Sequence, residues 1–221
     1  MRRITKTDLC EKVAAAPPNV RNDYGLRALA LAGYILREFM GPEWGKRYLH
    51  WDSRHAGIFK LPQPGVLGMT RSTFYILDLA ETLFNLQRSK GFGIPLHETR
   101  EAPNQDKVES TYAEFDFARL LHLHRVKFRF RRPRGETQED YDFELSLKDG
   151  TCVCADAKCK LEGTGVSMNS VSNTLRHGYA KLPKDSPGML FVKVPQHWLE
   201  SDEIKRELER NPVRLKHSLS L

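Results

Sequence analysis

Residues 141–160 read YDFELSLKDGTCVCADAKCK. Apolar and polar side chains alternate on both sides of Lys148-Asp149-Gly150, the period of two that marks strands, and the triplet is a turn sequence, so the stretch reads as a β-hairpin. The hydrophobic pattern selects its register. A three-residue loop with Gly150 in the left-handed region sets Phe143 opposite Ala155 and Leu145 opposite Val153, and gathers Tyr141, Phe143, Leu145, Leu147, Val153, Ala155 and Ala157 on one apolar face. A two-residue loop would set Phe143 opposite Asp156 and mix polar with apolar residues on both faces. In the favoured register the second face carries Asp142 beside Asp156 and Glu144 beside Cys154, with Lys158 two residues beyond Asp156.

Upstream, Val126, Phe128 and Phe130 alternate with Lys127, Arg129 and Arg131, a strand with one basic face. Before it, a helix reads from about Val108 to His124, with Phe117, Ala118, Leu120 and Leu121 on its apolar face, after a polar linker from Glu98 to Lys107. Downstream, Asn169 to Leu182 reads as a helix and Met189 to Val194 as a further strand. The first half is patterned differently. Leu29, Ala32, Gly33, Leu36, Phe39 and Met40 recur at helical spacing between Asn22-Asp23 and Gly41-Pro42. A second helix, capped by Thr70 or Ser72, carries the stripe Ile76, Leu79, Leu83 and Leu86 after the proline- and glycine-rich loop 61–68. The aromatic-rich segment Trp44 to Phe59 has no periodicity that assigns it. Three regions are therefore expected: a mainly helical 1–107 for recognition or partner binding, a mixed α/β core over 108–200, and a C-terminal helix and tail over 201–221.

With 221 residues, 40% of them hydrophobic and 29% charged, the chain is too apolar for a disordered protein and long enough to bury a core. A formal net charge of +7 suits a polyanionic partner without requiring one. No apolar run spans a bilayer and the start lacks a secretory signal, so a cytoplasmic location without membrane contact is expected. Four cysteines are too few for a disulfide scaffold and are expected as thiols. Cys152 and Cys154 point to one strand face and Cys159 to the other, which argues against a zinc site. No Walker loop, dinucleotide fingerprint or G-x-S-x-G elbow occurs.

Carboxylates facing each other across a ladder repel, and a divalent cation is the simplest means of neutralising them. Mg²⁺ takes hard oxygen ligands and keeps several waters, so two aspartates and a carbonyl suffice, while a neighbouring ammonium can position water and stabilise charge on a phosphate. Asp142 in EDYDFEL, Asp156-Ala157-Lys158 in CVCADAKCK and Glu114, with Ala118 and Leu121 at plus four and plus seven in YAEFDFARLLHLHR, stand in an order that resembles the PD-(D/E)XK nuclease superfamily. The resemblance covers about residues 108–194 and departs from the family pattern in having Tyr141 rather than proline before Asp142. It implies a restriction-endonuclease-like mixed sheet flanked by helices and a Mg²⁺ (or Mn²⁺) bound by Asp142, Asp156, the Ala157 carbonyl and Glu114, directly or through water. Lys158 would orient the nucleophilic water. It also implies that Arg176, Tyr179 and Lys181, on the following helix, lie near the scissile phosphate, and that a homodimer would supply two sites for two strands.

The function so expected is metal-dependent hydrolysis of DNA phosphodiesters. The alternatives are a silent nuclease-fold module that binds nucleic acid or a protein, and an unrelated α+β interaction module whose Asp142, Asp156 and Lys158 form only a salt-bridged hairpin. Arg125, Lys127, Arg129 and Arg131, with Arg132 and Arg134 beyond, are candidate phosphate contacts, or else a charged strand face covered by acidic neighbours such as Glu144.

Overall fold

The computed structural model describes residues 3–49, 58–59, 71–132, 140–161, 163–165, 167–202 and 205–206. The loop 61–68, the Thr70 cap, Arg134 and most of the expected C-terminal helix and tail lie outside the described residues. The chain packs as two units, Met1–Arg88 with Leu96–Gln105, and Ser89–Pro95 with Asp106–Leu221. Among the described residues the architecture is mixed α/β, a helical N-terminal part followed by a four-stranded sheet with helices.

The first unit is helical. It contains α1 (Lys6–Ala14), α2 (Pro18–Asn22), α3 (Tyr24–Met40), α4 (Pro42–Tyr48) and α5 (Arg71–Leu86). Asp23 caps α3 by accepting from the Leu26 N–H at 2.8 Å, and Gly41, at φ 86°, ends it so that Pro42 can start α4. The buried stripe of α3 is Ala32, Ile35, Leu36, Phe39 and Met40, while Gly33 faces outward, one step from the expected line. It packs against α5, which buries Ile76, Leu79, Leu83 and Leu86. Trp44 and Tyr48, in the segment whose periodicity assigned nothing, are buried on α4 and donate to the Thr99 and Ala102 carbonyls at 3.1 and 2.5 Å.

The expected polar linker from Glu98 to Lys107 is largely helical. α6 (Gly93–Arg100) runs through its start and α7 (Gln105–Leu123) begins before its end. The buried Leu96 and Thr99 of α6 lie too few turns apart to generate a readable period, so burial rather than amphipathic pattern holds this helix.

The second unit is built on β1 (Lys127–Phe130), β2 (Phe143–Ser146), β3 (Cys152–Cys159) and β4 (Gly188–Lys193), with α8 (Met168–Tyr179) crossing between β3 and β4 and α9 (Gln196–Glu200) following. The strand order is β1-β2-β3-β4, with β1, β2 and β3 antiparallel and β4 parallel to β3. The hairpin takes the expected register: Phe143 faces Ala155, Glu144 faces Cys154 and Leu145 faces Val153. Gly150 sits at φ 87°, and the Leu147 N–H donates to the Thr151 carbonyl at 2.9 Å across the three-residue loop. Phe117 of α7 fills the apolar sheet face, its ring 5.0 Å from Phe143 and stacked 5.0 Å from Phe191. Gly91, at φ 81°, lies against β1: a Cβ there would collide with the Phe130 carbonyl.

One expectation about this sheet is corrected. Tyr141 does not join the apolar face but clusters with Cys154 and Leu182 on the other side, where Arg131 stacks 4.3 Å over its ring and donates to its hydroxyl. A buried phenol needs a polar partner, which the Phe117 side of the sheet lacks. On that second face Cys154 and Asp156 are buried, because the parallel connection from β3 to β4 lays α8 against those strands and brings in Leu182. Gly178 makes that approach possible, since a Cβ on it would stand 2.5 Å from Leu190 of β4.

Candidate active site

Asp142 lies just before β2, fixed from both sides. Its carbonyl accepts from the Arg131 N–H at 2.8 Å, and its own N–H donates to the Ala155 carbonyl at 3.0 Å. Its carboxylate Oδ2 accepts the Ala157 N–H at 2.8 Å, so a side chain takes the place of the ladder acceptor that the register would draw from Tyr141. Asp156 sits across from it in the middle of β3 with no exposed surface. The hairpin register thus delivers the two aspartates to one point on a rigid sheet, as the alternation of residues 141–160 required.

Asp156 meets the Lys158 ammonium as an ion pair at Oδ2, and the Lys181 ammonium lies 4.0 Å from Oδ1. Apart from these ammonium contacts and the facing Asp142 carboxyl, neither oxygen has a hydrogen-bond donor among the described residues. A fully buried carboxylate held only by ion pairs keeps most of its acceptor capacity unused. Lys158 Nζ also reaches the Ala157 carbonyl at 3.5 Å, so that oxygen opens on the same space. Lys181, just after α8, lies 3.5 Å from Asp140 as well. Asp140 is a site residue that sequence reasoning missed; it precedes the hairpin, and no local pattern could point it at a lysine far along the chain.

The electrostatics reflect this crowding. Burial first, and then the charge of Asp156, push the Asp142 carboxyl up to about 7, against the opposing pull of the Ala157 N–H and Lys158. Burial alone would lower the Lys181 ammonium, but Asp156, Asp142 and Asp140 outweigh it and raise its pKa. Burial and the Cys154 side chain raise the Tyr141 phenol to about 12.

The remaining candidates divide. Glu114 is half-buried on α7 and has interactions there. No three His, Cys, Asp or Glu side chains of the described residues gather at metal-holding distance, so Glu114 does not complete a three-carboxylate set with Asp142 and Asp156. Two carboxylates and a carbonyl are nonetheless the donor set Mg²⁺ favours, and the unused acceptors of Asp156 fit such an ion. On the basic strand, Arg129 Nε donates to Glu144 at 2.5 Å and Arg131 pairs with Glu144 at 3.2 Å, so both are neutralised by the acidic neighbour, although Arg129 stays exposed. Arg125, in the turn before β1 at φ 56°, and Lys127 are exposed. Arg176 and Tyr179 are exposed on α8, while Lys181 is drawn into the aspartates. The cysteines are free thiols. No helix of the described residues is long and apolar enough to cross a membrane. Compared with protein-family models, curated proteins and solved structures, the chain matches none.

Proposed function

We propose that this chain is a metal-dependent nuclease with a restriction-endonuclease-like core, hydrolysing phosphodiester bonds of nucleic acid, DNA first among them. The observation that carries the reading is Asp156: a carboxylate with no exposed surface, met by ammonium groups but by no backbone donor, set beside a second, half-buried carboxylate. A protein stabilised only for folding gains little from two such groups, which are costly to bury and repel each other. A divalent cation uses what is otherwise wasted. Asp142, Asp156 and the Ala157 carbonyl would hold it, and when bound it supplies positive charge at the scissile phosphate.

The chain's own groups do the rest. Lys158, fixed on β3 between Asp156 and the Ala157 carbonyl, holds the attacking water and stabilises the charge that develops as the bond to phosphorus forms. Exposed Arg125, Lys127, Arg176 and Tyr179 are among the groups on this unit open to the phosphodiester backbone and bases. Glu114 enters this reading only through the resemblance of its helix motif.

One observation favours a second reading, a silent module of the same fold: two lysines already neutralise Asp156, and no third carboxylate joins the pair. The separating experiment is incubation of plasmid, linear duplex, single-stranded and branched DNA with Mg²⁺ or Mn²⁺, using wild type, Asp156→Ala and Lys158→Ala. Metal-dependent products lost in both variants are expected. Absence of products in every condition, with nucleic-acid binding retained, would establish the silent module instead.

A further inference from the structure

The second lysine of the site enters from a different element than the first and holds a different position. Lys158 belongs to the strand that carries Asp156 and is bound to it through a short stretch of rigid backbone. Lys181 follows α8, lies between Asp140 at 3.5 Å and Asp156 at 4.0 Å, and keeps 36% of its side chain exposed. Neither contact is a close ion pair. Its long stem, its water access and its alternative partner at Asp140 leave it free to move away from Asp156 without leaving a buried charge unpaired. The carboxylate it faces is fully buried, and its Oδ1 has no closer donor than this ammonium at 4.0 Å, so the place Lys181 guards is one a ligand can take.

We propose that Lys181 is a displaceable counter-ion that competes with the divalent cation for Asp156, and that a phosphate of the nucleic-acid strand draws it off, coupling metal binding to substrate binding. This inference rests on the nuclease reading above and adds the order of events to it. Without nucleic acid, the ammonium neutralises Asp156 and repels an incoming cation. With a phosphate at the mouth of the site, the ammonium gains a mobile, better-exposed anion as partner, and Asp156 is released to the metal. By linkage, whatever factor the strand adds to metal affinity the metal must add to strand affinity. A charge at this range shifts the binding of another by about tenfold, the effect a neighbouring ammonium has on a carboxylate's proton affinity.

The test is a Mn²⁺ titration, with free Mn²⁺ counted by electron paramagnetic resonance, in the presence and absence of a short phosphorothioate oligonucleotide that resists cleavage. Wild type is expected to bind Mn²⁺ about tenfold more tightly with the oligonucleotide than without it. Lys181→Met is expected to show the tighter affinity from the start and to gain nothing from the oligonucleotide, while Lys181→Arg keeps the coupling. Lys181→Gln repeats the measurement if the methionine variant does not fold, with circular dichroism as the check. Asp140→Asn, which removes the lysine's alternative partner, is expected to weaken Mn²⁺ binding. If folded Lys181→Met and Lys181→Gln bind Mn²⁺ as wild type does, with the same response to the oligonucleotide, the counter-ion role is wrong and the metal site stands. If wild type binds Mn²⁺ no better than Asp156→Ala, the nuclease reading itself fails and the counter-ion role with it.

Discussion

Replacing Asp142 with asparagine should stabilise this protein at alkaline pH while abolishing any cleavage it performs. In the folded chain the carboxyl ionises at about 7, against an ordinary value of 3.8, because it is buried and faces Asp156. A shift of roughly three units corresponds to at most about 4 kcal/mol of folding free energy, lost when the folded chain must carry the charge. The folded state holds its proton more tightly than the unfolded one, so this group's destabilisation is absent below the unfolded pKa, grows as pH rises through the window from about 3.8 to about 7, and is complete above it. Asparagine keeps an oxygen to accept the Ala157 N–H and carries no charge. Allowing for relaxation around the pair, the variant should gain about 2 to 4 kcal/mol at pH 8, or roughly 5 to 12 °C in the melting temperature of a chain this size, and close to nothing at pH 4. Thermal unfolding followed by circular dichroism across pH 4 to 8, with and without millimolar Mg²⁺, measures the difference. Mg²⁺ should narrow the gap by stabilising only the wild type. A variant less stable than wild type at pH 8, or an advantage independent of pH, would refute the crowded-carboxylate argument.

Other consequences can be measured alongside. Millimolar Mg²⁺ or Mn²⁺ should raise the wild-type melting temperature and release protons, and do neither in Asp156→Ala, as seen by calorimetry in buffers of different ionisation enthalpy. Gly91→Ala should cost about 2 to 4 kcal/mol in denaturant unfolding, since it forces a side chain into a left-handed position against the Phe130 backbone. Glu144→Gln should release Arg129 and Arg131 from their ion pairs, strengthening nucleic-acid binding and steepening its salt dependence by about one to two phosphates, read from affinity against salt concentration.

The parts of the site that were legible lie within a few residues of each other. Alternation on either side of Lys148-Asp149-Gly150 leaves one register in which Phe143, Leu145, Val153 and Ala155 share a face, and that register carries Asp142 to Asp156. Lys158 followed, because it is two residues along the same strand. Tyr141 broke the pattern, since the ladder ends at Phe143 and a phenol seeks Arg131 rather than the phenylalanines. The basic face of β1 was visible as composition, yet its meaning turned on Glu144 in the neighbouring strand, which neutralises two of its arginines. For Glu114 a helix motif indicated the residue type and nothing about what it meets.

The sequence by itself determined α7, α8 and the four strands of the second unit, the hairpin register and the pairing of two aspartates, because these depend on side-chain period and turn chemistry over short stretches, a range in which backbone geometry leaves few choices. Only the tertiary structure decided that the aspartate face is buried, that Asp140 and Lys181 complete the charge cluster, and that α8 covers it. Those outcomes follow from the crossover between β3 and β4, whose packing on Gly178 and Leu182 brings residues together that no local period relates.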